Sequence, residues 1–290
     1  MFSGSLVALV TPFQNGRVDY KTLDELVDFH LDSGTDGIVP VGTTGESPTL
    51  TNEEHKKVIE RVVDAVDGDV PVIAGTGSNS TAEAIELTEH ARRIGADASL
   101  QVTPYYNKPT QEGFYQHFKM IAEEVNLPVV LYNIPGRSAA GMTAETVIRL
   151  SHVENIVAVK EATGSLDIAS EIANKCDINI LSGDDSLTLP LASIGGKGVI
   201  SVVANIVPTD VKAMTDLILQ GDLVSARKWH HKLFAMSKNL LGLSTNPIPI
   251  KAAMAMLGMI PGEMRLPMTP LSEAKKVLLK NTLKEYGLDV

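Results

Sequence analysis

Short apolar runs recur along the chain, and each is separated from the next by a longer segment of mixed apolar and polar residues. The runs are rich in Val and Ile and are bounded by turn-forming residues, which is typical of strands buried on both faces. They recur at intervals of about 20 to 35 residues, roughly the length of one strand–helix unit. The eight runs are 6–10, 37–41, 72–74, 98–102, 128–132, 156–160, 178–181 and 198–201.

The segments between the runs have the spacing and the starting signals of amphipathic helices. Residues 22–33 place apolar side chains on one face. Thr51 with Glu54, and Ser80 with Glu83, have the spacing of a capping box, and each pair precedes an apolar stripe. Strands that alternate with helices in this way predict an α/β fold, a closed (β/α)8 TIM barrel. An open doubly wound sheet is the alternative, but its G-x-G-x-x-G pattern does not follow the first strand.

The pattern changes at about residue 223, after which no strand-like run follows. Helical spacing continues over about 223–240, 249–257 and 271–285, with turn-rich connectors between these stretches. We therefore predict a barrel catalytic domain over 1–222 and a C-terminal helical domain over 223–290.

Composition and charge narrow the classes of function. The net charge of −10 at pH 7 argues against nucleic acid or an anionic membrane as the main partner. Cys176 is the only cysteine, so no disulfide can form within the chain and a reducing cytoplasm is the expected location. The first basic residue is Arg17, which does not fit a secretory signal peptide. No apolar run reaches the roughly 18 residues that a membrane helix needs.

Polar and ionisable residues follow several of the predicted strands. Because a TIM barrel carries its active site at the carboxyl ends of its strands, these residues should share one rim. "GTTGES" follows the second run, "YNIPGR" ends the fifth and "KEATG" ends the sixth. Hydroxyls, a tyrosine, a lysine and an arginine are thus predicted to meet at the mouth of the barrel.

Lys160 is an unusual residue for the end of a buried strand. Ala158 and Lys160 share one face of this strand, because strand side chains alternate. If that face is the barrel interior, desolvation would favour the neutral amine, which can attack a carbonyl carbon and form a Schiff base. The alternative is a structural ion pair, for example with Glu161.

The neighbouring motifs suit the same chemistry. Tyr132 could relay protons, although it could equally be a core tyrosine bonded to the backbone. Thr43 and Thr44 lie between two glycines, where hydroxyls and amides can hold a carboxylate, or they form a plain polar turn. Arg137 suits a second carboxylate, with a solvated surface arginine as the alternative. Together these residues predict a site for a small α-keto acid.

These motifs, with "VTPYYNKPTQEG", "LSGDD" and "NPIPIK", resemble the pyruvate-dependent Schiff-base aldolases of the N-acetylneuraminate lyase family over essentially the whole chain. "GTTGE", "YNIPGR" and "KEATG" are most similar to the synthase branch of that family. The resemblance implies a barrel with a C-terminal helical domain, assembled as a homotetramer from two tight dimers.

The resemblance also assigns roles to individual residues. The catalytic residues that it implies are the Schiff-base Lys160 and a proton relay of Tyr132, Thr43 and Tyr106. In this family the tyrosine matching Tyr106 reaches into the site of the neighbouring subunit. The substrate-binding positions that it implies are Thr44 at the pyruvate carboxylate, Arg137 at the aldehyde, and Gly183 and Ile200 in the pocket lining.

The implied reaction is the condensation of pyruvate with L-aspartate 4-semialdehyde to 4-hydroxy-tetrahydrodipicolinate, in lysine biosynthesis through diaminopimelate. No metal or organic cofactor is implied, because the lysine itself supplies the electron sink. A pyruvate aldolase for a sugar-derived aldehyde, of the neuraminate or keto-deoxy-sugar type, is the alternative. A non-catalytic ligand-binding protein on the same barrel is a third interpretation.

The resemblance extends to regulation. In feedback-inhibited members, lysine binds at the dimer interface, near residues that match Ser47, His55, Asn79, Glu83 and Tyr105. Two neighbouring positions differ from some sensitive relatives, because Asn52 stands where a histidine can occur and Pro48 stands where a small residue can occur.

Overall fold

Eight parallel strands form a barrel in the computed structural model, which describes residues 2–290. In chain order the strands are β1 (Gly4–Ala8), β2 (Phe13–Gln14), β3 (Arg17–Val18), β4 (Gly37–Val39), β5 (Ile73–Gly75), β6 (Ala98–Val102), β7 (Val129–Asn133), β8 (Ile156–Glu161), β9 (Asn179–Ser182) and β10 (Gly198–Ser201). All except β2 and β3 form one sheet in the order β4-β1-β10-β9-β8-β7-β6-β5. A parallel bridge between Ile38 and Val72 closes the ring, which confirms the predicted TIM barrel.

Helices surround the barrel and continue beyond it. They are α1 (Tyr20–Asp32), α2 (Asn52–Val66), α3 (Thr81–Arg93), α4 (Gln111–Glu124), α5 (Pro135–Ser138), α6 (Ala144–Leu150), α7 (Leu166–Lys175), α8 (Thr188–Ala192), α9 (Pro208–Leu219), α10 (Leu223–Leu243), α11 (Ile248–Met256) and α12 (Glu273–Tyr286). The last three correspond to the predicted C-terminal stretches, and α10 packs along α9. The domain boundary at residue 222 stays a prediction. Within residues 2–290, no helix combines the length and the apolar character needed to cross a membrane.

The short hairpin formed by β2 and β3 is absent from the predicted elements. Each of its strands has only two residues, too few for a recognisable hydrophobic period. The turn between them, Asn15-Gly16, has φ values of 53° and 76°. Two positive φ values in an Asn-Gly pair are typical of a type I′ hairpin turn, so the dipeptide was the available signal.

The two predicted capping boxes have different outcomes. Thr51 and Glu54 form a complete box at the start of α2. At the start of α3, Ser80 Oγ accepts the Glu83 amide, but the Glu83 carboxylate bonds the Ser78 hydroxyl instead of the Ser80 amide. The Ser78 hydroxyl itself accepts the Ser80 amide at 3.1 Å, which leaves Glu83 no amide to cap. The predicted bond from the Ser80 amide to the Glu83 carboxylate is therefore wrong.

Side chains alternate between the barrel interior and the helix-facing layer. Along β8, Ala158 packs in the interior cluster together with Leu6 and Tyr132. Val159, the next residue, packs instead among the helices. Ala158 therefore faces the barrel interior, which is the condition that the sequence argument for Lys160 left open, and Lys160 continues the same face.

Two histidines are buried between helices and sheet. His30 is 0% exposed and its Nδ1 lies 3.0 Å from the Thr35 hydroxyl. His117 Nδ1 lies 2.9 Å from the Thr81 hydroxyl. Burial lowers the pKa of His30 to about 3 and that of His117 to about 4, because neither site compensates an imidazolium.

Lowering the pH from 7 to 5 should reduce the free energy of unfolding by about 2 kcal/mol for each of these histidines. The unfolded chain takes up protons below about pH 6.5, whereas the folded rings stay neutral until about pH 4 for His117 and pH 3 for His30. The contribution of each buried neutral histidine to the free energy of unfolding is therefore fully present above the pKa of histidine in the unfolded chain. It is lost as the pH falls below that value. Urea unfolding at both pH values measures this loss. Over the same pH change, the His30→Gln variant should lose about 2 kcal/mol less free energy of unfolding than the wild type. An equal loss in the two proteins would contradict the low pKa assigned to His30.

Candidate active site

A cavity of about 420 Å³ opens at the carboxyl ends of the strands, beneath the segment that joins α10 to α11. The cavity brings together most of the residues predicted for the site: Thr43, Thr44, Tyr132, Arg137, Lys160 and Gly183. Ile200 is fully buried in the barrel interior. Tyr106 lies elsewhere, because its side chain is 90% exposed.

Lys160 lies inside this cavity and makes no ion pair. It stands opposite Tyr132 on β7 and Leu181 on β9 in the strand register. Lys160 is 6% exposed, and its Nζ lies 4.3 Å from the centroid of the Tyr132 ring. Among the salt bridges of residues 2–290, none involves Lys160. The Glu161 carboxylate accepts the Thr163 amide at 2.6 Å, so the ion pair considered from the sequence is not formed.

Thr43 and Thr44 occupy a tight turn after β4. Residues at both ends of the turn have left-handed backbone conformations, with φ of 56° at Val41 and 54° at Glu46. Thr44 is 3% exposed, and its hydroxyl accepts a hydrogen bond from the side-chain amide of Asn246 at 2.9 Å. Its own proton therefore remains available to donate to a bound anion.

Arg137 lies in the short helix α5 and is docked to the C-terminal part of the chain. Its Nη2 donates to the main-chain oxygen of Asn246 at 3.0 Å. Asn246 therefore contacts both Arg137 and Thr44, and sequence reasoning did not identify it as a site residue. The available signal was its place in "NPIPIK", a motif beyond the barrel strands.

Three acidic residues, Glu161, Asp184 and Asp185, lie at the carboxyl ends of β8 and β9. Asp184 lines the cavity, and burial raises the pKa of its carboxyl while the positive charge of Lys160 opposes the rise. Burial also raises the pKa of the Glu161 carboxyl. The Asp185 carboxylate holds the turn after β10 by accepting the Ser201 hydroxyl and the Val202 amide. In the part of the chain that the structure describes, no group of three acidic, His or Cys side chains is arranged to hold a metal.

Two of the residues predicted for regulation lie beside the same opening. Ser47 and Tyr105 line a second cavity of about 240 Å³, which shares Thr43, Tyr132 and Arg137 with the first. The Asn79 side chain donates to the main-chain oxygen of Tyr105 at 3.1 Å.

Two further residues predicted for regulation, Glu83 and His55, have structural contacts. Glu83 bonds Ser78, and its negative charge helps to raise the pKa of the nearby Tyr105 hydroxyl, although burial is the larger cause. The His55 ring is buried, and its Nε2 donates to the main-chain oxygen of Gly75 at 2.8 Å.

Gly183→Ala should lower the free energy of unfolding by about 1–3 kcal/mol. A Cβ at residue 183 would lie 2.6 Å from the Cβ of Ala162 and 3.1 Å from the oxygen of Glu161. Gly136→Ala is the matched control, because Gly136 lines the same cavity but a Cβ there meets nothing within 4 Å. Urea denaturation should place the control within about 0.5 kcal/mol of wild type. Equal stabilities of the two variants would show that the ends of β8 and β9 adjust without cost.

This chain is similar to known proteins over almost its whole length. The Dihydrodipicolinate synthetase family matches residues 1–286. The 4-hydroxy-tetrahydrodipicolinate synthase of Geotalea uraniireducens (strain Rf4) is 56% identical over 290 residues, covering 99% of this chain and 100% of the relative. The crystal structure of dihydrodipicolinate synthase from Aquifex aeolicus has a TM-score of 0.97 at 51% identity, covering 99% of both chains.

A further solved structure, of the dihydrodipicolinate synthase from Acinetobacter baumannii complexed with pyruvate, has a TM-score of 0.97 at 44% identity and covers 100% of both chains. Similarity at this level extends from β1 through α12, so it includes the cavity and the C-terminal helices. The chain therefore belongs to the dihydrodipicolinate synthetase family.

Proposed function

We propose that this chain is a lysine Schiff-base lyase that condenses pyruvate with L-aspartate 4-semialdehyde to 4-hydroxy-tetrahydrodipicolinate. This reaction serves lysine biosynthesis through diaminopimelate. The observation that carries the proposal is Lys160, a cavity-lining lysine with 6% exposure and no carboxylate partner. The names of the full-length relatives support the same reaction, and a solved relative is described as complexed with pyruvate.

In the proposed first half-reaction, Lys160 Nζ attacks the ketone carbon of pyruvate. The nitrogen gives up one proton, and the carbonyl oxygen takes up that proton and one more before it leaves as water. Tyr132, whose ring centroid lies 4.3 Å from Nζ, would relay these protons. The resulting protonated imine withdraws electrons, so the pyruvate methyl group loses a proton and becomes an enamine carbon. Thr43 would complete the proton relay from the neighbouring turn.

In the second half-reaction, the enamine carbon forms a bond to the aldehyde carbon, and the aldehyde oxygen takes up a proton. The amino group of this substrate then attacks the imine carbon. Ring closure breaks the bond to Lys160 and returns the free amine. All electrons come from the two substrates and the lysine, so the proposed cycle uses no metal or organic cofactor.

Two cavity residues have unused donors for substrate carboxylates. Thr44 accepts the Asn246 amide, which leaves its hydroxyl proton for the pyruvate carboxylate. Arg137 donates one N–H to the main-chain oxygen of Asn246, and its other N–H groups can donate to the carboxylate of the aldehyde substrate. Gly183 and Ile200 would shape the pocket through the backbone. An acidic aldehyde suits Arg137 better than a polyol does, which favours this reaction over the sugar-aldehyde alternative.

Assembly into a homotetramer of two tight dimers, in the cytoplasm, is part of the proposal. Tyr106, the third member of the proposed relay, is 90% exposed with φ of 73°. A tyrosine directed away from its own cavity fits a role in the site of a neighbouring subunit.

Treatment with borohydride in the presence of pyruvate should trap an adduct on Lys160 of the wild type. Lys160→Ala should form no adduct and lose at least about 10³-fold in kcat, because the nucleophile is absent. Pyruvate consumption with aspartate semialdehyde, N-acetylmannosamine and glyceraldehyde tests the second substrate. Turnover with a sugar aldehyde alone would move the protein to the alternative reaction. A wild type without an adduct would exclude imine chemistry.

Mixing two inactive variants tests the shared site. Tyr106→Phe and Lys160→Ala should each have low activity alone. A mixed dimer places an intact Lys160 beside an intact Tyr106 of the other subunit. Random exchange should therefore restore about a quarter of wild-type activity. If the mixture stays inactive although mass spectrometry shows mixed assemblies, Tyr106 does not act across the interface.

Inhibition by L-lysine is proposed at the cluster formed by Asn79, Glu83 and Tyr105, together with Ser47 and His55. The carboxylate of Glu83 and the main-chain oxygen of Tyr105 offer acceptors for a ligand ammonium. Millimolar L-lysine should lower the wild-type rate, and Glu83→Gln should weaken this inhibition at least tenfold in lysine concentration. A wild-type rate that does not change with lysine would contradict the proposal.

A further inference from the structure

The turn that carries Thr43 and Thr44 is held in an uncommon backbone shape. The turn, residues 42–46, is bounded by left-handed conformations at Val41 and Glu46. A left-handed conformation is rare for any residue other than glycine and is an outlier for a β-branched one. Such conformations persist only where surrounding contacts determine them. The contacts that hold this turn therefore matter for the site.

A buried ion pair fixes the carboxyl end of the turn. Lys251 of α11 lies with its Nζ 2.5 Å from Glu46 Oε1, and the two side chains are 0% and 1% exposed. The same Nζ donates to the main-chain oxygen of Thr11 at 3.0 Å and lies 4.3 Å from the centroid of the Phe13 ring. Among the salt bridges of residues 2–290, it is the only one with both side chains fully buried.

The same C-terminal segment also contacts the middle of the turn. Asn246, five positions before Lys251, donates its side-chain amide to the Thr44 hydroxyl. From the barrel side, the Thr11 hydroxyl donates to the oxygen of Gly45 at 2.7 Å. The turn is therefore held between the loop that follows β1 and the start of α11, and the position of α11 influences where the two threonines lie.

Stability alone is a weak explanation for this pair. Removing two charges from water is costly, and apolar side chains of similar volume often replace a buried ion pair with no loss of stability. A charge pair has a fixed contact geometry that an apolar pair lacks, and this geometry acts on a backbone that would otherwise relax. We propose that Lys251 and Glu46 are positioning residues that hold Thr43 and Thr44 in the shape that binds the pyruvate carboxylate. This inference rests on the proposed function.

The test separates positioning from simple structural support. Single variants Glu46→Gln and Lys251→Met leave one buried group unpaired and should lower the Tm. The double variant with Met at both positions should recover most of the Tm, because no charge stays buried. Its KM for pyruvate should nevertheless remain at least about tenfold above wild type, with a smaller change in kcat, since a misplaced turn weakens binding. A structural role predicts that KM returns to wild type together with the Tm.

A second variant covers the case in which the double variant does not fold. Glu46→Asp keeps the charge and shortens the side chain by one methylene, so it should raise the KM for pyruvate at least fivefold. Lys232→Met is the matched control, because it breaks the 2.6 Å ion pair with Asp210 between α10 and α9, away from the turn. The control should leave the KM unchanged.

The readouts distinguish the two levels of the proposal. A borohydride-trapped pyruvate adduct in the wild type, with a raised KM in Glu46→Asp and in the folded double variant, supports the positioning role. The same adduct with a wild-type KM in both variants overturns that role and leaves the proposed function intact. A wild type that forms no adduct overturns both.

Discussion

Closing eight parallel strands into a ring determines which side chains meet at its mouth. Strand side chains alternate with a period of two, so the face of each strand that turns inward cannot change along its length. On β8 this places Ala158 in the interior and carries Lys160 to the rim. The register of β7 then sets Tyr132 opposite the lysine, which brings the ring within 4.3 Å of Nζ. Every other feature of the site is arranged around this pair.

The helices beyond the barrel are part of the site. The segment between α10 and α11 covers the cavity. Asn246 in this segment contacts Thr44 through its side-chain amide and Arg137 through its main-chain oxygen. Lys251, one turn into α11, neutralises the otherwise buried charge of Glu46. A TIM barrel varies its chemistry through the loops at this face, and here residues of the C-terminal segment hold those loops.

Burial disfavours the ionised forms of the acidic side chains at the carboxyl ends of β8 and β9. The carboxyl groups of Asp184 and Glu161 have raised pKa values, chiefly because burial disfavours their ionised forms. Neither forms a salt bridge with Lys160, so no carboxylate holds its Nζ in place. Close backbone packing at Gly183, where a Cβ would meet Ala162 at 2.6 Å, keeps the ends of β8 and β9 together.

The sequence by itself determined the eight barrel strands and the three C-terminal helices, because hydrophobic period and capping are properties of neighbouring residues. It also placed Lys160, Tyr132 and the two threonines at strand ends, where a barrel brings them together. Only the tertiary structure decided the contacts of Asn246 with Thr44 and of Lys251 with Glu46, which join residues 202 and 205 positions apart. Such pairs depend on how whole elements pack, and no local pattern encodes that.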